Sequence, residues 1–567
     1  MRPTGILGVS AIAILVAAAL LYLSLAGPRH ADRVSVDTTS TTTGARVAAT
    51  SSPPPGDTPL GAAGLRAAAG ALAASYDQAN GGFGAGPKSP RPAQLDFLMR
   101  WFRRTGDTKA RDMVLGTLEA MSRGGIYDHV GGGFHHAATD DAWVVPNFQK
   151  TLSDNALLAT TYLDALAYGP NDEFTEVVSH TLALIGSMKA PGGGFYAAIG
   201  TASDGAYYTW SFTELRQVID EWTWPFFSGY FPVTEAGDVD GMNVLHAPRP
   251  MSVVAAEIGR DLPSVRVAVR AQLARLRVIR SRRPAPAIDR NVVVASNGLV
   301  LSAFARADQK LGGDFYGREA ARTAAWILDT LHRDGRLART ERDGVVGGEA
   351  MLEDYAFLIA GLLDLFEVTQ DARWLREALA LQAEQDQRFH DNLAGGYFRT
   401  LEGSPGREKP WQDEAEPSGN AVAARNCLRL ADLTGDGTRR ERAEGTLRAF
   451  APRMTERPAD APAMLAAVEL LLDRPKEIVI VVPEGGDARL LVKKVYAAYV
   501  PNRMLVVVSE GTPRDELAAL VPLVADKVAK DGVATAYVCE ARACEFSTTD
   551  PGALSSELGR VTPLPPS

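Results

Sequence analysis

Glycine pairs followed by an aromatic residue punctuate the middle of the chain at intervals that suit helical hairpins, and this constrains the fold more than any other feature. Gly81-Gly82-Phe83 is the first mark; Gly131-Gly132-Gly133-Phe134 follows 50 residues later, Gly192-Gly193-Gly194-Phe195-Tyr196 61 residues after that, and Gly395-Gly396-Tyr397-Phe398 is a late copy. Two helices of about four turns plus their loops fill roughly 50–60 residues. Glycine permits a tight, positive-φ path, and the aromatic side chain can then pack inward over the core. Repeated helix pairs closed in this way predict a mainly α protein built as an (α/α)6 six-hairpin toroid, with an open helical solenoid as the alternative.

The segments between the marks fit a double ring. Leu95 to Arg104, Leu152 to Leu166, Leu299 to Leu311, Tyr355 to Val368 and Ala421 to Leu433 are largely apolar, as helices buried on most sides must be. Arg318 to Leu331 and Trp374 to Gln387 carry more charge and read as outer helices. The barrel is assigned to 63–474, with an insertion near 197–260 that holds a strand-like Tyr207-Tyr208-Thr209-Trp210 and an aromatic cluster at Trp222, Trp224, Phe226 and Phe227. Past Pro475 the runs Ile478 to Val482, Met504 to Val508 and Ala534 to Cys539 alternate with a helical stretch, which predicts a small α/β domain over 475–567. Pro483-Glu484-Gly485-Gly486 after its first strand is a plain turn rather than a phosphate fingerprint.

Gly5 to Ala26 is 22 residues without a charge, about 33 Å as a helix, so 1–30 reads as a single-pass transmembrane anchor, with a cleaved signal as the alternative. Residues 31–62, rich in Ser, Thr and Pro and without an aromatic residue, read as a disordered tether holding an extracytoplasmic domain off the membrane. A formal charge of -9, with no basic tract, argues against a nucleic-acid partner. The three cysteines, Cys427, Cys539 and Cys544, form no Cys-x-x-Cys pair. Cys539 and Cys544 could form a local disulfide or be plain strand-end residues.

Chemistry concentrates on one loop. His129, His135 and His136, three of the eight histidines, lie there with Tyr127, Asp128, Asp140 and Trp143. Histidine and aspartate could serve as acid, base or orienting groups, and the two aromatic rings could stack on a sugar. His129, His135, Asp128, Asp140 and Asp354 are therefore the catalytic candidates. Tyr127, His136, Trp143, Asp154, Asn155, Asp289, Asn297, Glu353, Tyr355, Ser418 and Asn420 are the ligand-binding candidates. Several of these begin inner helices, where N-capping or dipole complementation is the bland role and lining a common mouth the sharper one. No metal set of ordinary spacing and no cofactor motif is present in the sequence.

These segments together resemble the YyaL or spermatogenesis-associated, thioredoxin-domain-containing family. The carriers are Gly-Gly-Ile-Tyr-Asp-His-Val-Gly-Gly-Gly-Phe-His at 124–135, Trp143, Val145-Pro146, Asp154-Asn155, Leu352 to Leu363, Pro417-Ser418-Gly419-Asn420 and Ala536-Tyr537-Val538-Cys539. The resemblance covers about 65–560 and implies a barrel like those of six-hairpin glycosidases and N-acylglucosamine 2-epimerases. A membrane segment and tether stand where the family has a thioredoxin-like domain. The family's Pro-His-Phe-Glu-Lys-Met-Leu-Tyr appears as Pro146-Asn147-Phe148-Gln149-Lys150-Thr151-Leu152-Ser153, its Asp-Ala-Asp as Gly200-Thr201-Ala202, its Asp-Asp-Lys as Ile288-Asp289-Arg290 and its Trp-Asn-Gly as Ser296-Asn297-Gly298. Ionisable groups drop out while glycines and apolar residues match. The implied function is a membrane-tethered barrel that binds a glycan or other polyhydroxylated ligand with a degenerate catalytic site. Alternatives are a glycosidase- or epimerase-like enzyme, or an assembly scaffold whose 475–567 unit binds a protein partner.

Overall fold

Burial separates two kinds of helix in the computed structural model, which describes residues 60–200, 205–404 and 407–564. The twelve helices of the toroid are α1 (Ala62–Ser75), α2 (Pro92–Thr105), α3 (Thr108–Arg123), α4 (Leu152–Ala165), α5 (Asp172–Ser187), α6 (Val294–Leu311), α7 (Phe315–Thr330), α8 (Leu352–Thr369), α9 (Ala372–Phe389), α10 (Gly419–Thr434), α11 (Gly437–Glu456) and α12 (Pro462–Leu471). In α4, 12 of 14 residues are buried, which marks a helix packed on all sides. In α9 only 7 of 18 are, on a single stripe from Trp374 to Phe389, so its other face meets water. The even-numbered helices pack in the order α2, α4, α6, α8, α10, α12 and back to α2, closing a ring. The odd-numbered helices cover that ring from outside, α3 on α2, α5 on α4, α7 on α6, α9 on α8, α11 on α10 and α1 on α12. The ring is tightest between α6 and α8. A Cβ on Gly361 would lie 2.6 Å from the Gly298 carbonyl oxygen, so only paired glycines let these backbones touch.

Each Gly-Gly-aromatic mark lies where an outer helix ends and the next inner helix begins. The chain folds back on itself there: Tyr76 bridges to Phe83, Tyr127 to Phe134, Lys189 to Phe195 and His390 to Tyr397. Gly133 shows why the residue type is fixed. Its φ is +74°, and a Cβ would sit 2.1 Å from Leu184 Cδ2.

Between α5 and α6 the chain makes four helices, Phe212–Val218, Trp224–Tyr230, Met251–Glu257 and Leu262–Arg280, around a separate core that includes Trp210, Phe227, Phe231, Val265 and Val269. The insertion thus reaches past 260 to include the helix that ends at Arg280. Tyr207 to Trp210 is not a strand; only Trp210 bridges, to Asn243.

The C-terminal sheet has β1 (Glu477–Val482), β2 (Met504–Ser509), β3 (Thr535–Glu540) and β4 (Ala543–Thr548), in the order β2-β1-β3-β4. The β1–β2 pair is parallel and the other two are antiparallel. Cys539 and Cys544 are disulfide-bonded across the β3–β4 hairpin. The segment 498–505, which leads into β2, lines the ring interior at the ends of the inner helices.

The membrane expectation requires correction. Among the described residues no helix is long and apolar enough to cross a membrane. The anchor assigned to Gly5–Ala26 and most of the tether lie outside the described residues. No described helix supports the single-pass membrane expectation.

Candidate functional site

The inner helices begin at one end of the ring. Asp354, in the first turn of α8, accepts the Ala295 N–H at the start of α6 at 3.1 Å. Asp413 joins the starts of α10 and α12, accepting from Ser418 N at 2.8 Å and Ala463 N at 2.7 Å. One face of each inner helix then runs down the axis. On α4 that face carries Asp154, Leu157, Thr161 and Asp164; on α8 it carries Glu353, Phe357, Ala360 and Asp364. All of these except Asp154 and Glu353 line an axial cavity of about 210 Å³, and those two sit on the same faces one turn nearer the helix starts.

Below the apolar belt of Leu157, Leu299, Phe357 and Val422 the cavity wall is charged. Arg306 pairs with Asp164 at 3.2 Å, Arg429 with Asp364 at 2.6 Å, Arg425 with Asp96 at 3.3 Å and Arg100 with Asp96 at 3.0 Å. These pairs tie α6 to α4, α10 to α8 and α10 to α2. They are not legible in the sequence, because a lone charge on an apolar helix gives no sign that it faces the axis.

Many of the polar residues singled out in the sequence instead hold the turns together. Asn155 accepts the Phe134 N–H at 2.7 Å and donates to the Phe134 carbonyl at 3.0 Å. Asn297 does the same to Phe195 at 2.8 and 3.1 Å, and Asn420 to Tyr397 at 2.7 and 2.8 Å. A second repeated device is a lysine clip. Lys150 donates to Asp128 at 2.7 Å and to the Gly132 carbonyl at 2.8 Å. Lys88 clips Asp77 and Gly81 in the same way, and Lys409 clips Asp391 and Gly395.

Asp128 is consumed by this clip, by Arg280 at 2.8 Å and by the Val130 and Gly131 N–H groups. Burial opposes its charge, but Arg280 and Lys150 hold its carboxyl well below the usual range, which removes it as a base near neutral pH. His129 bonds the Gly124 carbonyl at 3.1 Å, and burial pushes its imidazole down to about 4. His135 is buried between Phe148 and Tyr208, and burial followed by Lys150 drives its pKa well down. Asp140 caps its own turn, accepting from Ala142, Val144 and Val145. Tyr127 reaches His180 at 3.1 Å, and Tyr355 donates to Glu384 at 3.3 Å. Trp143 is 1% exposed and donates to the Asn80 carbonyl, so neither ring face is open to a sugar. Asp289 accepts from Asn291 beside a short strand, and Ser418 caps α10. Asp354 accepts from Met351 and Ala295, and burial pushes its carboxyl up to about 7.

The structure does bring one group together over the cavity. His136 Nδ1 lies 2.8 Å from Asp154 Oδ2, which also accepts the Thr151 hydroxyl at 2.5 Å. The hydrogen bond to Asp154 raises the His136 pKa against partial burial. Glu353 lies 3.4 Å from Arg399. Glu416, which the sequence reading did not select, joins them. Burial raises its pKa, the Ser153 hydroxyl opposes this, and Asp154 and Glu353 add to the rise. Its one sequence signal was its place just before Pro417-Ser418-Gly419-Asn420. Among the described residues no group of three or more His, Cys, Asp or Glu could hold a metal ion.

This geometry defines the class: a mainly helical six-hairpin toroid with a polar mouth over an axial cavity. The chain is a homologue of spermatogenesis-associated protein 20. It is 36% identical to the human protein over 524 residues, covering 84% of this chain and 66% of that protein, and 34% identical to the mouse protein over 525 residues with the same coverages. The chain therefore spans just under two thirds of the length of these relatives. No protein-family model matches it. Among solved structures it is similar to a GH76 α-mannanase from Bacteroides thetaiotaomicron, with a TM-score of 0.45 at 10% identity over 72% of this chain and 95% of that one. It is also similar to a D-mannose isomerase, with a TM-score of 0.44 at 11% identity over 69% of this chain and 86% of that one.

Proposed function

We propose that the protein binds a polyhydroxylated, carbohydrate-class ligand in the axial cavity, entered past His136, Asp154, Glu353 and Glu416. The observation that carries this reading is the continuity of the inward faces of α4 and α8: Asp154 and Glu353 stand directly above the Leu157 and Phe357 belt. Carboxylates accept hydroxyl hydrogens, and an apolar belt suits the C–H faces of a sugar ring. The test is a thermal-shift panel of neutral and charged sugars and cell-wall fragments. A shift that Asp154→Asn and Glu353→Gln both reduce supports the reading; a flat response across the panel defeats it.

A second reading, weak acid–base catalysis, is favoured by one observation. Glu416 takes up its proton at a higher pH than an ordinary glutamate, beside a histidine–carboxylate pair. Environments that push neighbouring carboxyl groups apart in pKa assign acid and base roles. Turnover of a bound sugar, abolished in Glu416→Gln while binding persists, would establish it. Binding without turnover leaves the protein a binding member with a degenerate site.

A further inference from the structure

We infer that the axial cavity selects a ligand of about one sugar unit that carries an anionic group, gripped by Arg425 with Arg429. The inference rests on the cavity being the ligand site.

Arg425 is short of partners. Among the described residues its only hydrogen bond runs from Nη1 to Asp96 Oδ2, at a long 3.3 Å. Asp96 is already engaged: Arg100 Nε reaches its two oxygens at 3.0 and 3.1 Å. Arg429 likewise makes a single hydrogen bond among the described residues, from Nη2 to Asp364 at 2.6 Å. Each guanidinium presents five N–H donors in a fixed fork. Most of both forks is therefore unspent, and the two side chains are 30% and 26% exposed although both line the cavity. Arg503, on the same wall, shows the contrast: it bonds Glu367 through Nε and Nη2, and Gln309 besides.

The electrostatics point the same way. Burial and the adjacent Arg100 and Arg429 pull the Arg425 pKa below its ordinary value, against Asp96 and Asp364. Arg100 and Arg425 share the single Asp96 carboxylate, and a neutral sugar adds no counter-charge to them. A carboxylate or phosphate does, through a two-point fork. The mouth carboxylates Asp154 and Glu353 repel that group and accept hydroxyls, so they favour the bound orientation that puts the anionic end at the arginines and the hydroxyls at the mouth. Arg425 lies six residues into α10, roughly 9 Å below the helix start. A cavity of about 210 Å³ is small beside the several hundred Å³ that hold drug-sized ligands, which limits the occupant to about one ring.

The test uses the full chain and calorimetric titration with glucose, galactose and mannose, their uronates and their 6-phosphates. At least one anionic sugar should bind about tenfold or more tightly than its neutral parent. The uronate and phosphate arms separate the two sources of charge. Arg425→Gln should bring that ratio to within about threefold, with Arg425→Lys intermediate. Should Arg425→Gln lose its far-UV circular dichroism, Arg429→Gln and a salt titration of the wild type replace it, both expected to erode the preference. A neutral parent that binds as well as its acid, or a ratio unmoved by the arginine changes, overturns this inference and leaves the cavity reading standing. No binding by any of the nine compounds overturns both.

Discussion

Phe134 and Asn155 exchange a reciprocal pair of hydrogen bonds across 21 residues of chain. The same exchange joins Phe195 to Asn297 across 102 residues, with the whole insertion between them, and Tyr397 to Asn420 across 23. The inner helix therefore starts in the same relation to its aromatic turn however long the intervening chain is.

Replacing any of these asparagines by alanine leaves a buried N–H and a buried carbonyl of the aromatic residue unpaired. At roughly 1–3 kcal/mol per orphaned group, Asn155→Ala, Asn297→Ala and Asn420→Ala should each destabilise the protein by about 3 kcal/mol in urea unfolding. A loss below about 1 kcal/mol at all three would mean that water replaces the side chain and the staple is incidental.

The lysine clip makes a sharper case, because both partners are charged and buried. Lys150→Met leaves Asp128 Oδ2 without its lysine partner, with Arg280 as the remaining ion pair, and removes the donor to the Gly132 carbonyl. A cost of about 3 kcal/mol is expected, read as a lower urea midpoint with an unchanged slope. If Asp128 served catalysis rather than the turn, the variant would instead unfold normally and lose only activity.

The paired helices could be read from the chain because glycine and aromatic spacing are set by backbone geometry, which composition records directly. Gly131-Gly132-Gly133-Phe134 can do little except turn and pack. The site was less readable, because Asp128 and Asp154 look alike in a sequence. One is saturated by Lys150, Arg280 and two backbone N–H groups; the other faces the axis beside His136. Sequence reports residue type, not whether hydrogen-bonding capacity is already spent. Arg425 and Asp364 were missed for a related reason. A charge on an inner helix acquires meaning only once six helices close around it.

Burial of neutral His129 ties stability to pH with a definite sign. Its folded pKa of about 4 lies below the unfolded value of about 6.5, so its contribution is fully present above pH 6.5 and is lost as pH falls toward 4. Between pH 7.5 and pH 5 it should remove about 2 kcal/mol from the unfolding free energy. His129→Gln should flatten that slope, although buried His135 leaves a remainder of the same sign. Equal slopes for both proteins would place His129 in water.

His136 carries the opposite sign and belongs to the site. Its bond to Asp154 raises its pKa, so the stabilisation is present below the unfolded value and fades as pH rises through the folded one. Asp154→Asn removes the counter-charge, and the His136 ring protons followed by NMR should then titrate at a lower pH than in the wild type. The same substitution leaves the cavity floor intact, since Asp154 makes no contact with Arg425 or Arg429. Sugar affinity should therefore fall about five- to tenfold in Asp154→Asn, the loss of one charged acceptor, while the preference for an anionic sugar survives. An unshifted His136 titration would mean that the pair does not form in solution. Loss of the anionic preference would mean that the mouth, rather than the arginines, reads the charge.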